Sequence, residues 1–401
     1  MRKKLASIVV LVALLTIGGG AAASAASARA AAPAPEPAYG PKLAKEVRQV
    51  MKANAIPGAV VMVESPQKGN WSGTFGTAAF GKKVPMSLAD YLRVGSNTKT
   101  MTGTVILQLV EEGKLALDDP ISKFVPSVPN GQNITIAELL EMRSGLFSYT
   151  SDKGLNESMD THPNKGWRPS ELLKIAFSHP SPAAPGTVFE YNNTNYVLLG
   201  VVLQKLTGMS ASKAFKERIF KPLGMTQTTL PGRTDSRLPK PHALGYQFRT
   251  NVQTLDTYKV PKSQQKAALD GTLRPFEHTL ENPSWAWTAG SAISTPRDLA
   301  TYVKALVGGG LLDKKTQKIR LDSIKPVDDT ATNGVGYGLG IAQFAPGILG
   351  HDGQVPGYST FMSYDLKTGD TIIVGTNLSA SPITGENAAV EVAKGIFGVL
   401  R

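Results

Sequence analysis

The chain is 401 residues long, 41% hydrophobic and 18% charged, with 43 Lys and Arg against 31 Asp and Glu for a formal net charge of +12. That much apolar material supports a large core and excludes disorder, collagen and a small stapled scaffold. It contains no cysteine, so disulfides, thiolate zinc centres, iron–sulfur clusters and a cysteine nucleophile are excluded, and any catalysis rests on oxygen and nitrogen groups.

Residues 1–28 read as a secretory signal peptide: Arg2, Lys3 and Lys4 precede an apolar run over 5–17, and small residues surround Ala26-Ser27-Ala28. The run is shorter than the ~20 residues that cross a bilayer, and Gly18-Gly19-Gly20 interrupts it, so cleavage is expected rather than a membrane anchor. Residues 29–40 alternate Ala and Pro as a stiff tether, and folded structure is expected over 41–401. No later apolar stretch reaches membrane length. The expectation is therefore a secreted, extracellular protein with no stable membrane span after cleavage. Loss of Arg2, Lys3 and Lys4 leaves it basic, which suits anionic cell-wall polymers. Nucleic acid fits poorly, because the Lys and Arg residues are scattered without interleaved aromatics.

Residues 43–53 carry Leu43, Val47, Val50 and Met51 on one side of a helix. Residues 59–64 and 71–80 read as two paired strands. The span from 98 to about 220 is mostly helical in period, and loops follow to Ser284. Strand patterns return over 338–344, 358–364 and 371–376, the last two joined by the turn Asp365-Leu366-Lys367-Thr368-Gly369-Asp370, and a helix closes the chain over 387–400. Strands at both ends with helices between imply an α+β fold: an antiparallel sheet built from both termini and flanked by helices, over about 41–95 and 290–401. A mainly helical lobe over about 96–289 would sit beside it, with a cleft between.

Ser-x-x-Lys puts a hydroxyl and an amine on one helix face. It occurs at Ser65/Lys68, Ser96/Lys99, Ser210/Lys213 and Ser263/Lys266. Only Ser96 opens a strongly apolar helix, through Met101, Val105, Ile106, Leu109 and Val110. A serine there has free backbone N–H groups to hold an oxyanion, and desolvation would lower the Lys99 pKa from its reference of about 10.4. Taken alone, the pair reads equally well as a capping serine with a snorkelling lysine. Tyr191-Asn192-Asn193, at a second helix entrance, offers a phenol to relay a proton and an amide to hold the lysine. His351, in Gly350-His351-Asp352-Gly353-Gln354, is the one histidine beside an expected inner strand; His162, His179, His242 and His278 lie in polar or Pro-rich surroundings. No metal-ligand spacing is visible, so neither a metal nor a cofactor is implied, and no Gly-x-Ser-x-Gly elbow occurs.

These elements in this order resemble the active-site serine hydrolases that include penicillin-binding D,D-peptidases and class C β-lactamases, and within them the Streptomyces-type D-alanyl-D-alanine carboxypeptidases and D-stereospecific amidohydrolases. Arg93-Val94-Gly95-Ser96, Arg143-Ser144-Gly145-Leu146, Ser284-Trp285-Ala286 and Gly336-Tyr337-Gly338-Leu339-Gly340 carry the likeness along the mature chain. The resemblance implies a β-lactamase/transpeptidase-like fold, with Ser96 as nucleophile, Lys99 as base, Tyr191 and Asn193 as second element, and His351-Asp352-Gly353 in place of Lys-Thr-Gly or His-Thr-Gly. It also implies oxyanion donors at the backbone N–H groups of Ser96 and Gln354, and substrate contacts by Gly353, Asp352 and Trp285. Lys367-Thr368-Gly369 spells the third motif literally but falls in a hairpin turn.

Two departures bear on substrate. Ala342 stands where the carboxypeptidases carry a carboxylate-binding Arg, and Gln354 stands where they carry a hydroxyl residue. The reading is a D-stereospecific peptidase or amidase working through an acyl-enzyme, with aminolysis open to it. Small peptides, amino-acid amides or esters and β-lactams are the expected partners. A D-alanyl-D-alanine carboxypeptidase, a β-lactamase, an esterase and a non-catalytic penicillin- or wall-binding protein are the alternatives. Substrate-amine recognition is assigned either to Asp352 or to a loop acid such as Asp152.

Overall fold

The computed structural model describes residues 35–328 and 334–401. The expected signal peptide, residues 1–28, and residues 29–34 of the expected tether lie outside them. The end of that tether is not free chain. Glu36 Oε1 accepts from Trp71 Nε1 at 3.0 Å and the Tyr39 hydroxyl donates to Gly69 O at 2.8 Å. Helix α1 (Gly40–Ala53) then begins one residue before Pro41, whose fixed φ suits a first helical turn.

Eight strands form one antiparallel sheet: β1 (Gly58–Glu64), β2 (Trp71–Gly76), β3 (Lys325–Pro326), β4 (Gly336–Tyr337), β5 (Ala342–Ala345), β6 (Ile348–Val355), β7 (Tyr358–Asp365) and β8 (Thr371–Thr376). Their spatial order is β2-β1-β8-β7-β6-β5-β4-β3, so the first strand of the chain pairs with the last, Ala59 opposite Thr376. The strand expected over 338–344 is broken in two, because the backbone turns back between Gly338 N and Ile341 O at 2.9 Å. Strand β6 was expected only as strand structure beside His351, without a range of its own. It carries Gly350, His351, Asp352 and Gly353, and Gly and Asp are depleted in strands.

Alternate residues of the central strands face opposite ways. Val61, Val63, Ile372, Val374 and Phe361 pack against Leu43 and Val47 of α1 and against Val392 and Ile396 of α5 (Ala388–Leu400). On the other face, Ile373 and Met362 join a larger core with α2 (Asn97–Glu111), α3 (Asn193–Thr207) and α4 (Pro296–Gly308). A short ribbon pairing Leu92 with Ser294 and Arg93 with Ile293 delivers the chain to the start of α2, beside β6. Among the described residues no helix is long and apolar enough to cross a membrane.

Ile396 is fully buried between the sheet and α1. Ile396→Ala is expected to lower unfolding stability by about 2–5 kcal/mol. Urea unfolding measures the loss, and the site on the far face should keep its specific activity.

Candidate active site

Ser96 occupies the N-cap position of α2, yet its side chain makes no capping bond, so the hydroxyl is not spent on the helix end. The first turn behind it is wholly buried, from Asn97 to Thr100. Side chains fix this turn from three sides. Asn97 Nδ2 donates to Thr360 Oγ1 at 2.9 Å, Thr360 Oγ1 donates to Val94 O at 2.9 Å, and Thr98 Oγ1 accepts from Ala292 N at 3.1 Å. The backbones of the turn and of β6 are in close approach. A Cβ on Gly95, whose φ is +54°, would lie 2.5 Å from Gln354 N, and one on Gly353 would lie 2.0 Å from Val94 O. Only glycine fits either place, and the contact brings the backbone nitrogen of Gln354 close to the turn that carries Ser96.

Lys99 Nζ lies 3.1 Å from Ser96 Oγ, 2.7 Å from Asn193 Oδ1 and 2.7 Å from Ala289 O. Its side chain is completely buried. Burial pulls its pKa from 10.5 down to about 7, against a smaller upward pull from Asp352. The other three Ser-x-x-Lys pairs do not assemble: Ser65 and Ser210 accept from the backbone of Lys68 and Lys213, and Lys266 turns to Asp270.

Asn192 caps α3, its Oδ1 accepting from Thr194 N at 2.8 Å, and this aims the neighbouring Asn193 inward. Asn193 Nδ2 donates to Thr150 Oγ1 at 2.9 Å and its backbone N–H to Ser148 Oγ at 3.2 Å, so the amide oxygen is left to face Lys99. The Tyr191 hydroxyl hydrogen-bonds Ser96; the residue as a whole is 42% exposed, but desolvation around the hydroxyl holds its pKa well above the usual phenol value. Lys99 Nζ sits 4.8 Å from the centre of the Tyr191 ring. Tyr191 is therefore a protonated phenol in contact with the serine.

His351 is buried in β6, with its ring centre 6.2 Å from that of Tyr191. Its Nδ1 lies 2.5 Å from Asp352 O and its Nε2 3.0 Å from the Tyr337 hydroxyl. A carbonyl accepts only, so Nδ1 carries the proton and Nε2 accepts from Tyr337. Burial and then Lys99 lower the His351 pKa to about 3. The ring is thus neutral near neutral pH, and it buttresses Tyr337.

The Asp352 side chain is 39% exposed, and its Oδ2 accepts from Asn387 Nδ2 at 3.2 Å. Burial raises its pKa, opposed by hydrogen bonding and by Lys99. The Gln354 side chain is hydrogen-bonded by the Tyr258 hydroxyl. Trp285 is half-buried, and its carbonyl accepts from the Tyr149 hydroxyl at 2.7 Å, a support beneath the Asn193 loop. Asp152 is not available to a substrate amine: Oδ1 caps a helix through Leu155 N at 2.7 Å, and Oδ2 meets His179 Nε2 at 3.0 Å. The literal Lys367-Thr368-Gly369 sits in the β7–β8 turn, where Asp365 Oδ1 accepts from Lys367 N and a Cβ on Gly369 would meet Pro66.

Sequence reasoning missed several supports. Ser148 and Thr150 orient Asn193, Tyr337 holds His351, and Asn387 holds Asp352. Arg93 is buried, and its Nη2 donates to Ser236 O, Thr279 O and Glu281 O at 2.6, 3.1 and 3.1 Å. It thereby ties the loop before Trp285 to the strand that leads to Ser96. His278, expected in a polar loop, is buried in that anchor, with Nδ1 2.6 Å from Glu281 Oε1. The signal for Arg93 was its place three residues before the serine. Among the described residues, no group of three or more His, Asp or Glu is placed to hold a metal ion.

This fold, with a serine, a buried lysine and a tyrosine at the junction of sheet and helical lobe, defines the class of β-lactamase-fold serine hydrolases. The family model described as Beta-lactamase matches residues 43–394, and the chain belongs to that family. Among solved structures it is similar to a D-stereospecific amidohydrolase from Streptomyces sp., with TM-score 0.73 and 31% identity over 88% of this chain and 98% of that one. It is also similar to the D-amino acid amidase from Ochrobactrum anthropi SV3 in complex with D-phenylalanine, with TM-score 0.73 and 28% identity over 90% and 99% of the two chains. Protein flp of Staphylococcus aureus (strain N315) is 33% identical over 213 residues, 52% of this chain and 41% of that protein. The chain spans about half the length of the curated relatives it matches.

Two outcomes follow from the geometry. If Lys99 acts as base, kcat/KM should rise about tenfold per pH unit below a pKa near 7 and level off above it, because only the neutral amine accepts a proton; no further limb should come from His351. Stopped-flow acylation across pH reads the profile. Gly95→Ala should cut acylation at least about a hundredfold by pushing Gln354 N off its position, with the fold checked by thermal melting.

Proposed function

We propose that the protein is a secreted D-stereospecific peptidase or amidase that works through an acyl-enzyme on amide or ester bonds, with water or a second amine as the final acceptor. The observation that carries this reading is the Lys99 amine. In its neutral form it has two N–H donors and one lone pair; Asn193 Oδ1 and Ala289 O take the donors, and the lone pair is left for the Ser96 hydroxyl proton.

Ser96 Oγ bonds to the substrate carbonyl carbon as its proton passes to Lys99 Nζ. The carbonyl becomes an oxyanion facing the N–H groups of Ser96 and Gln354. Collapse breaks the bond to the leaving group, which takes the Tyr191 hydroxyl proton, and the proton held on Lys99, whose Nζ lies 4.8 Å from the Tyr191 ring centre, restores the phenol. Water or an amine then attacks the Ser96 ester with the same groups in reverse roles. His351 takes no proton in this scheme; it holds Tyr337 and the wall of the site.

D-stereospecificity is supported by the similarity to the Streptomyces amidohydrolase and the Ochrobactrum D-amino acid amidase. A carboxypeptidase role is less well supported, because Ala342 is a small buried residue paired with Gly350 beside His351 and supplies no cation for a substrate carboxylate. Secretion and contact with anionic wall polymers rest on the sequence of the first 28 residues and the basic charge.

A panel of D- and L-aminoacyl amides, esters and D-Ala-D-Ala-terminated peptides tests the reading. D-aminoacyl amides and esters should be turned over fastest and L-forms at least about tenfold more slowly, and Ser96→Ala should lose roughly a thousandfold or more. Equal or better turnover of D-Ala-D-Ala peptides would contradict it.

A further inference from the structure

We propose that Asp352 is a specificity-determining residue on the leaving-group side of the cleft: it excludes departing groups and acceptor amines that carry a carboxylate and favours those that are neutral or cationic. The inference rests on the acyl-transfer reading above.

Position is the first argument. Along β6, Gln354 lies against Gly95 and the oxyanion side of Ser96, whereas His351, three residues back, lies against Tyr191, the proton donor to the departing group. Asp352 falls between them along the strand. Alternation and its bond to Asn387 turn its side chain toward the α5 side of the sheet, away from His351, yet it stays 39% exposed and its charge reaches both Tyr191 and Lys99. A departing group that takes the Tyr191 proton therefore leaves within the field of this carboxylate.

Charge is the second. Asn387 caps α5 with Oδ1, accepting from Ala389 N at 2.9 Å and Val390 N at 3.2 Å, while its Nδ2 donates to Asp352 Oδ2 at 3.2 Å and to Gly353 O at 2.9 Å. The side chain is thus pinned at a helix N-terminus, where negative charge is favoured. Yet it has no cation of its own. Among the described residues its one neighbour at ion-pair distance is His351 Nδ1, 3.8 Å from Oδ1, and that ring is neutral. Lys99 loses its charge near neutral pH, and Glu386 nearby adds to the negative field. A fixed, partly exposed carboxylate without a counter-charge repels a second carboxylate and attracts an ammonium.

The test is a series of D-aminoacyl substrates matched in size whose leaving groups end in a carboxylate, a neutral group or an amine, assayed with the native protein and with Asp352→Asn. The native protein should disfavour the carboxylate-ended member at least about tenfold in kcat/KM against its neutral match, and Asp352→Asn should remove most of that factor. An unchanged ratio in a folded Asp352→Asn protein overturns the inference. Should that variant not fold, native discrimination must shrink as salt rises from about 0.01 M to about 1 M, and discrimination that ignores salt overturns it equally. If the native protein turns over no member of the series, the acyl-transfer reading itself falls and the inference falls with it.

Discussion

The site depends on keeping one lysine dry. A lysine held at a pKa of about 7 rather than 10.5 represents roughly 5 kcal/mol of lost preference for the ammonium form, at 1.36 kcal/mol per unit. That cost has to be met by packing elsewhere. The apolar collar of α2, the contact of α3 with the short helix Trp287–Gly290, and the core that includes Met101, Val105, Tyr196 and Val197 are what keep water from Nζ. The desolvated amine is at the same time not starved of partners, because Asn193 and Ala289 satisfy it. Burial with full hydrogen bonding separates a tuned base from a destabilising buried charge.

Placement of the oxyanion donors follows from a second constraint, backbone in contact with backbone. The turn at residues 94–96 and strand β6 come so close that neither Gly95 nor Gly353 can carry a side chain. The Thr360 hydroxyl, donating to Val94 O and accepting from Asn97, locks the same seam. Arg93 fastens its other side by drawing three loop carbonyls onto the incoming strand. The serine, its base and the two N–H groups are thus positioned by rigid elements.

How much of this was legible in the sequence follows from where each signal lives. The Ser96/Lys99 pair stood out because an apolar helix follows it, and the same apolarity desolvates the amine. The terminal strands were legible because residues 59–63 and 371–375 are apolar runs, as strands covered on both faces must be. Strand β6 was not, because its middle trades strand-forming side chains for two glycines, an aspartate and a histidine, each required by the approach of the Ser96 turn or by the site itself. Tyr337 was visible as part of a familiar run, but its bond to His351 depends on the register that pairs Tyr337 with Ala342 and Ala342 with Gly350, which no local pattern encodes. Asp152 failed as a substrate contact for the opposite reason. Its N-cap role was readable from Asp followed by a helix, and the partner His179 comes from 27 residues away.

The charge state of the assembled site explains why a single side chain can set its preference. Lys99 is neutral above about pH 7, His351 is neutral throughout the physiological range, and Tyr191 remains a phenol. In a site whose working groups are all uncharged, the field felt by a departing or incoming amine would be governed by Asp352, with Glu386 adding to it. Arg93 lies in the same seam, but its bonds to three loop carbonyls keep it in the interior, where it anchors the loop. In the proposed reaction the acyl-transfer machinery and the sign of charge it tolerates are therefore set on the same strand, by the two residues that flank Gly353: the backbone of Gln354 and the carboxylate of Asp352.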